Sequence, residues 1–166
     1  MGVSLQHIEA QVKQFVEAIA ASQEDLFCIE VSVKPFAKKL KVVVVVDCDG
    51  GITVERCAEI SQILEKNIDN HNLIEESYEL EVSSPGVGEP LKHPRQWKNV
   101  LHRKIEVRLL EGKKLVGVLT DYDDERIVIR EEIEAKNPKN KQKQWIEGVE
   151  IQRSMIEQVI GLVNLK

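Results

Sequence analysis

Leu5, Ile8, Val12, Phe15, Val16 and Ile19 recur at spacings of three and four. They mark one face of an amphipathic helix, with Ser4 as its N-cap and Gln6, Glu9, Lys13 and Glu17 on the wet side. From Leu26 to Val33 the period falls to two, with Ile29, Val31 and Val33 alternating against Glu30 and Ser32. That pattern predicts a strand, ended by Pro35. Leu40 to Val46 is β-branched almost throughout and predicts a strand buried on both faces. Asp47, Asp49, Gly50 and Gly51 form a turn cluster. Thr53 then caps a second helix from Val54 to about Ile68, whose stripe is Val54, Cys57, Ala58, Ile60, Ser61, Leu64 and Ile68. Tyr78, Leu80 and Val82 alternate with Glu79 and Glu81 in a third strand. The order α-β-β-α-β has a KH-like topology. Its helical crossover favours a parallel pairing of the second and third strands.

After Leu91 the signal is mostly strand. A short helical turn near Arg95 to Val100 is followed by alternation over Ile105–Leu109. Strands at Leu115–Leu119, Arg126–Arg130, Trp145–Ile151 and Val159–Val163 complete about five. Short strands joined by tight turns, such as Glu111-Gly112-Lys113, suggest a small barrel of the SH3 or Sm kind. The predicted class is α+β, with an N-terminal domain at 1–91 and a C-terminal β-barrel domain at 92–166.

Composition sharpens this division. Aromatic residues are only 4% of the 166, so both cores must be built from Val, Ile and Leu. The net charge of −5 hides an asymmetry. Residues 1–91 carry 7 Lys and Arg against 16 Asp and Glu, or −9; residues 92–166 carry 16 against 12, or +4. An acidic half suits a basic protein, and a basic half can approach RNA. The longest apolar run is Val42–Val46, far short of the roughly 20 residues of a membrane span. No secretory signal is visible. Cys28, Cys48 and Cys57 include no Cys-x-x-Cys and read as reduced, buried thiols of a cytosolic protein.

Candidate chemistry is sparse. His7, His71, His93 and His102 lack the spacing of a zinc helix, and no phosphate loop or nucleophile elbow occurs. Asp47 and Asp49 could hold a hard cation, but turn formation explains them more simply. The KH clamp, Gly-x-x-Gly, is absent. Trp97, Tyr122 and Trp145 read as core or joint packing instead of base-stacking residues. Lys136, Lys139, Lys141 and Lys143 lie in a basic, turn-rich loop, a candidate phosphate or protein contact. No cofactor, metal or catalytic residue is expected.

The most distinctive segment is Leu80-Glu81-Val82-Ser83-Ser84-Pro85-Gly86, followed by Glu89-Pro90-Leu91. Pro85-Gly86 is a tight-turn pair and Pro90 stiffens the exit, so the joint should hold two domains within a limited range of angles. This segment resembles the signature of the bacterial ribosome maturation factor RimP family. The likeness extends to the Val-rich strand ending at Asp47, to Gly51-Ile52-Thr53-Val54, to Cys57 and Ser61, and to Gly117 and Asp121. The resemblance implies an α/β domain followed by an SH3-like barrel. It also implies a non-catalytic, cytoplasmic, monomeric assembly chaperone. Such a factor binds the free or immature small (30S) ribosomal subunit through its rRNA and the twelfth small-subunit protein, with no membrane partner. Ser83, Ser84, Pro85, Gly86, Glu89, Pro90 and Leu91 are then candidate ribosome contacts. Glu89 departs from the family, which usually has a basic residue there. Two other readings fit the residues alone: an Sm-like RNA-binding module acting outside the ribosome, and a small enzyme using Asp47, Asp49 and Cys57.

Overall fold

A computed structural model describes residues 4–85, 88–133 and 144–162. The chain divides into two compact units, Met1–Pro85 and Gly86–Lys166. The boundary read from sequence at Leu91 falls past this division.

The first unit contains α1 (Leu5–Ala21), β1 (Leu26–Phe36), β2 (Lys39–Cys48), α2 (Val54–Asn70) and β3 (Tyr78–Ser83). The Ser4 and Thr53 hydroxyls cap the two helices by accepting from the His7 and Arg56 amides. Both satisfy a helix-terminal donor that has no intrahelical partner. The sheet order is β1-β2-β3, with β1 antiparallel and β3 parallel to β2. The parallel pair follows the predicted helical crossover.

Leu40, Val42, Val44 and Val46 alternate along β2 into one core with Ile8, Val12 and Val16 of α1 and Ile60, Leu64 and Ile68 of α2. Both helices therefore cover the same face of the sheet. Val43 and Val45 face away from them and are only half-buried. The expectation of a strand buried on both faces fails here, because β-branching alone does not report which face is covered.

Pro35 does not end β1, which continues to Phe36. The reason lies in its edge position. The Val33 amide donates to Glu9 Oε1 of α1 at 2.9 Å, so it points away from β2. Pro35, two residues on, points the same way, where its missing N–H costs the ladder nothing. Val54 also departs from its predicted stripe. It is 82% exposed at the first position of α2, before the buried face begins at Cys57.

The second unit contains α3 (Gln96–Val100), β4 (Lys104–Leu109), β5 (Lys114–Tyr122), β6 (Arg126–Ile133), β7 (Gln144–Gln152), a 3-10 turn (Arg153–Met155) and β8 (Ile156–Gly161). The predicted five strands are present, although β5 runs on through Asp121 and Tyr122, and β8 begins three residues early at Ile156. They form one antiparallel sheet in the order β7-β6-β5-β4-β8. Among the described residues β7 and β8 do not pair, so the sheet is open and no closed barrel is formed. Bulges between Leu119 and Asp121 and between Ile129 and Glu131 break the ladder register. Such bulges bend and twist the strands that carry them. The core joins Ile105, Val107, Leu119, Ile127, Ile129, Ile151 and Val159 to Trp97. Gly117 is required by close approach: a Cβ there would overlap the Arg130 carbonyl on β6.

Candidate functional site

The sequence-predicted joint is split between the two units. On the first, Ser83 ends β3 beside Val45, Ser84 is exposed and Pro85 is half-buried. On the second, Glu89 is exposed, Pro90 bridges to Ile160, and the Leu91 amide donates to the Val159 carbonyl at 2.8 Å. The Leu91 side chain packs against the second core. Gly86 lies outside the described residues, as do Lys136, Lys139, Lys141 and Lys143.

Just beyond the joint, a buried polar residue organises the chain. Gln96 is 4% exposed. Its Oε1 accepts from the Lys92 and His93 amides at 2.7 and 2.8 Å. His93 Nδ1 accepts from the Arg95 amide at 3.1 Å, a bond that requires an unprotonated Nδ1. Burial, helped by the Arg95 charge, pushes the imidazole below its ordinary value of 6.5. A neutral ring therefore suits both its bond and its surroundings. Trp97 follows directly and stacks on Tyr122, with centroids 5.8 Å apart. The Arg153 guanidinium lies 4.7 Å from the Trp97 ring centroid and donates to the Asp123 carbonyl at 2.9 Å. Trp97 and Tyr122 are thus packing residues. The half-buried Trp145 differs, since Arg130 sits over its ring at 4.6 Å on β6 and β7.

The cations of the second sheet largely face carboxylates. Lys104 pairs with Glu132, Arg108 with Glu106, and Arg130 with Glu147. Arg126 lies among Asp121, Asp123 and Glu150. Pairs of this kind leave less charge for phosphate. The excess of +4 in residues 92–166 equals the four lysines of Lys136–Lys143, a stretch with no acid. The remaining 12 cations and 12 acids cancel.

The first unit concentrates charge differently. Residues 54–85 hold eight acids (Glu55, Glu59, Glu65, Asp69, Glu75, Glu76, Glu79, Glu81) against Arg56 and Lys66, or −6 of the −8 carried by residues 1–85. Several of these acids line an open groove of about 530 Å³ between α2 and the segment leading into β3, walled by Glu65, Asp69, Ile74, Glu75, Glu76 and Tyr78 among others. The Tyr78 hydroxyl donates to Asp69 Oδ1 at 2.7 Å and fixes one wall. Burial and that bond raise the phenol above its usual range, so it remains a donor.

Sequence reasoning missed one cluster altogether. Arg56 makes a two-pronged bond to Asp25, both contacts at 2.7 Å, and also donates to Gln23 Oε1 at 3.1 and 2.6 Å. This ties the start of α2 to the turn after α1, at a separation of 31 residues or more that no local pattern could signal. It is a clamp between elements. Asp47, 8% exposed, accepts from the Cys48 amide, which is a turn role. Burial raises all three thiols, Cys28, Cys48 and Cys57, so they are protonated at neutral pH and weak nucleophiles. Among the described residues, no three His, Cys, Asp or Glu side chains are placed to hold a metal ion. No helix there is long and apolar enough to cross a membrane.

The family model described as the RimP N-terminal domain matches residues 15–88. One relative, the ribosome maturation factor RimP of Cytophaga hutchinsonii, is 30% identical over 122 residues, which is 73% of this chain and 73% of that protein.

Proposed function

The chain belongs to the RimP family of ribosome maturation factors, and from that premise we propose that it binds the free or immature small (30S) ribosomal subunit and assists its assembly without catalysing a reaction. The observation that carries this reading is the 30% identity over 122 residues to a ribosome maturation factor. The protein acts in the cytoplasm as a monomer. Its acidic unit meets a basic ribosomal protein, the twelfth of the small subunit. The Lys136–Lys143 loop meets rRNA phosphate. Ser83, Ser84, Pro85, Gly86, Glu89, Pro90 and Leu91 belong to the contact surface. Glu89 adds a negative charge to this surface, and the lysines of residues 136–143 supply the phosphate contact in this reading. Binding stabilises one arrangement of the immature subunit, and maturation releases the factor.

The same premise extends to the fold. We read the first unit as KH-like in topology, used here without the nucleic-acid clamp. We read the bulged second sheet as an open relative of the small SH3 or Sm barrels, with β7 and β8 as its two edges and the domain boundary within the joint. Deleting the gene tests the function. Sucrose gradients should then show excess free subunits, together with unprocessed small-subunit rRNA. A normal gradient with fully processed rRNA refutes the reading.

A further inference from the structure

The two outer edges of the first sheet are treated differently. An exposed strand edge offers unpaired N–H and C=O groups and is usually blunted. The β1 edge has three such devices: the bulge between Cys28 and Glu30, Pro35 with no N–H, and Glu9 on the Val33 amide. Among the described residues, β3 has no ladder partner on its far side. The direction of its peptide groups follows from the pairing. The Leu40 amide donates to the Ser77 carbonyl at 2.9 Å, and Leu40 lies opposite Tyr78. In a parallel ladder, alternate residues point to the same neighbour. Ser77, Glu79, Glu81 and Ser83 therefore address β2. Tyr78, Leu80 and Val82 turn their N–H and C=O groups outward.

The acidic groove lies along this edge. An added strand would present alternate side chains to its two sides. One set would meet Glu65, Glu75 and Glu76 beside α2. The other would meet Glu81 and Glu79 on the sheet face away from the helices, where Glu79 already lies 3.8 Å from Lys39 of β2. A second copy of this chain would bring the same acids and be repelled, and RNA would be repelled by the same charge. We infer that the outer edge of β3 is a strand-addition site for an extended basic segment of a partner protein. Its backbone pairs with Tyr78, Leu80 and Val82, and its Lys or Arg side chains face the acids of the groove. The inference rests on the proposed ribosomal role only for the source of that segment.

The probe is a synthetic peptide of alternating Lys and Val, titrated into the full-length, isotopically labelled chain. Two further versions carry backbone N-methyl groups on one or the other alternate set of residues. The unmodified peptide should shift the Tyr78, Leu80 and Val82 amides and slow their exchange. One methylated version should lose about tenfold or more in affinity, and the other should bind nearly as the parent does. Glu65→Lys with Glu76→Lys, both at exposed positions, should cost a similar factor while the far-UV spectrum stays unchanged. Equal binding by both methylated peptides would reduce the site to charge attraction and overturn the proposal. So would a dimer in equilibrium sedimentation that already protects these amides, or displacement of the peptide by oligouridylate. Peptide binding at β3 with no binding to small subunits would overturn the ribosomal role alone. Subunit binding with no peptide binding would overturn the strand site alone.

Discussion

The two units have similar aliphatic cores and opposite ways of carrying charge. In the first, the excess is built into ordered elements: α2, β3 and the segment between them hold most of the acids. In the second, the ordered strands are electrically matched, and the excess belongs to the lysine segment between β6 and β7. A fixed acidic groove beside a strand edge suits a partner with defined shape, such as a protein segment. An unbroken run of cations without acids suits a phosphate backbone, which asks for charge more than for shape. The half-chain charges alone do not show this difference.

Comparing the units requires that each can be perturbed without the other, and the chain supplies the reporters. Both tryptophans, Trp97 and Trp145, lie in the second unit, while α1 and α2 lie in the first. Leu64→Ala removes a fully buried side chain from the first core. It should cost the first unit about 2–5 kcal/mol. The helical circular dichroism transition in urea should move, and the Trp fluorescence transition should stay. Equal shifts in both signals would mean that the units unfold as one. Replacing Lys136, Lys139, Lys141 and Lys143 with Gln comes next. It should lower the log-log salt slope of rRNA-dependent binding by roughly three, at about 0.7 per phosphate contact. An unchanged slope would remove the loop from the interface and with it half of the contrast.

Gly117→Val should destabilise the second unit by about 1–3 kcal/mol, because its side chain would drive into the Arg130 carbonyl. Here the fluorescence transition should move alone. The smallest effect concerns pH. The folded pKa of His93 lies below 6.5, so the fold resists a proton that the unfolded chain accepts. Its contribution is neutral above that value, and stability is lost as pH falls through it. Urea midpoints followed by fluorescence should therefore decline between about pH 7 and pH 5. His93→Asn, which keeps an acceptor for the Arg95 amide, should flatten the decline. Identical pH profiles would show that His93 binds a proton equally well in the folded and unfolded chain, which contradicts the lowered pKa.

Periodicity identified α1, β1, α2 and β3 because each is one-sided, whereas β2 was legible only from its β-branched run, which hid its single covered face. The apolar stripe of α2 and the alternation in β3 each name a buried face. Where a residue's role depended on neighbours distant in sequence, the pattern failed. Pro35 was compatible with a strand only because β1 is an edge, and Val54 was exposed because α2 begins before its buried face. Of the candidate site, the joint was singled out by its turn residues, of which Gly86 lies outside the described residues. The Gln96 cradle, the Arg56–Asp25 clamp and the outward direction of Tyr78, Leu80 and Val82 were not, since each depends on tertiary placement. The charge split was countable from the start, but its confinement to α2–β3 and to the lysine segment became meaningful only with the ion pairs of the second sheet in view.

The central claim is that this chain engages the small ribosomal subunit before it matures. Purified chain should be mixed with immature small subunits, mature small subunits and large subunits, and each mixture sedimented through a sucrose gradient at moderate salt. The account predicts co-sedimentation with immature small subunits above all, weakening as salt rises. Co-sedimentation with none of the three, or equally with large subunits, would contradict it.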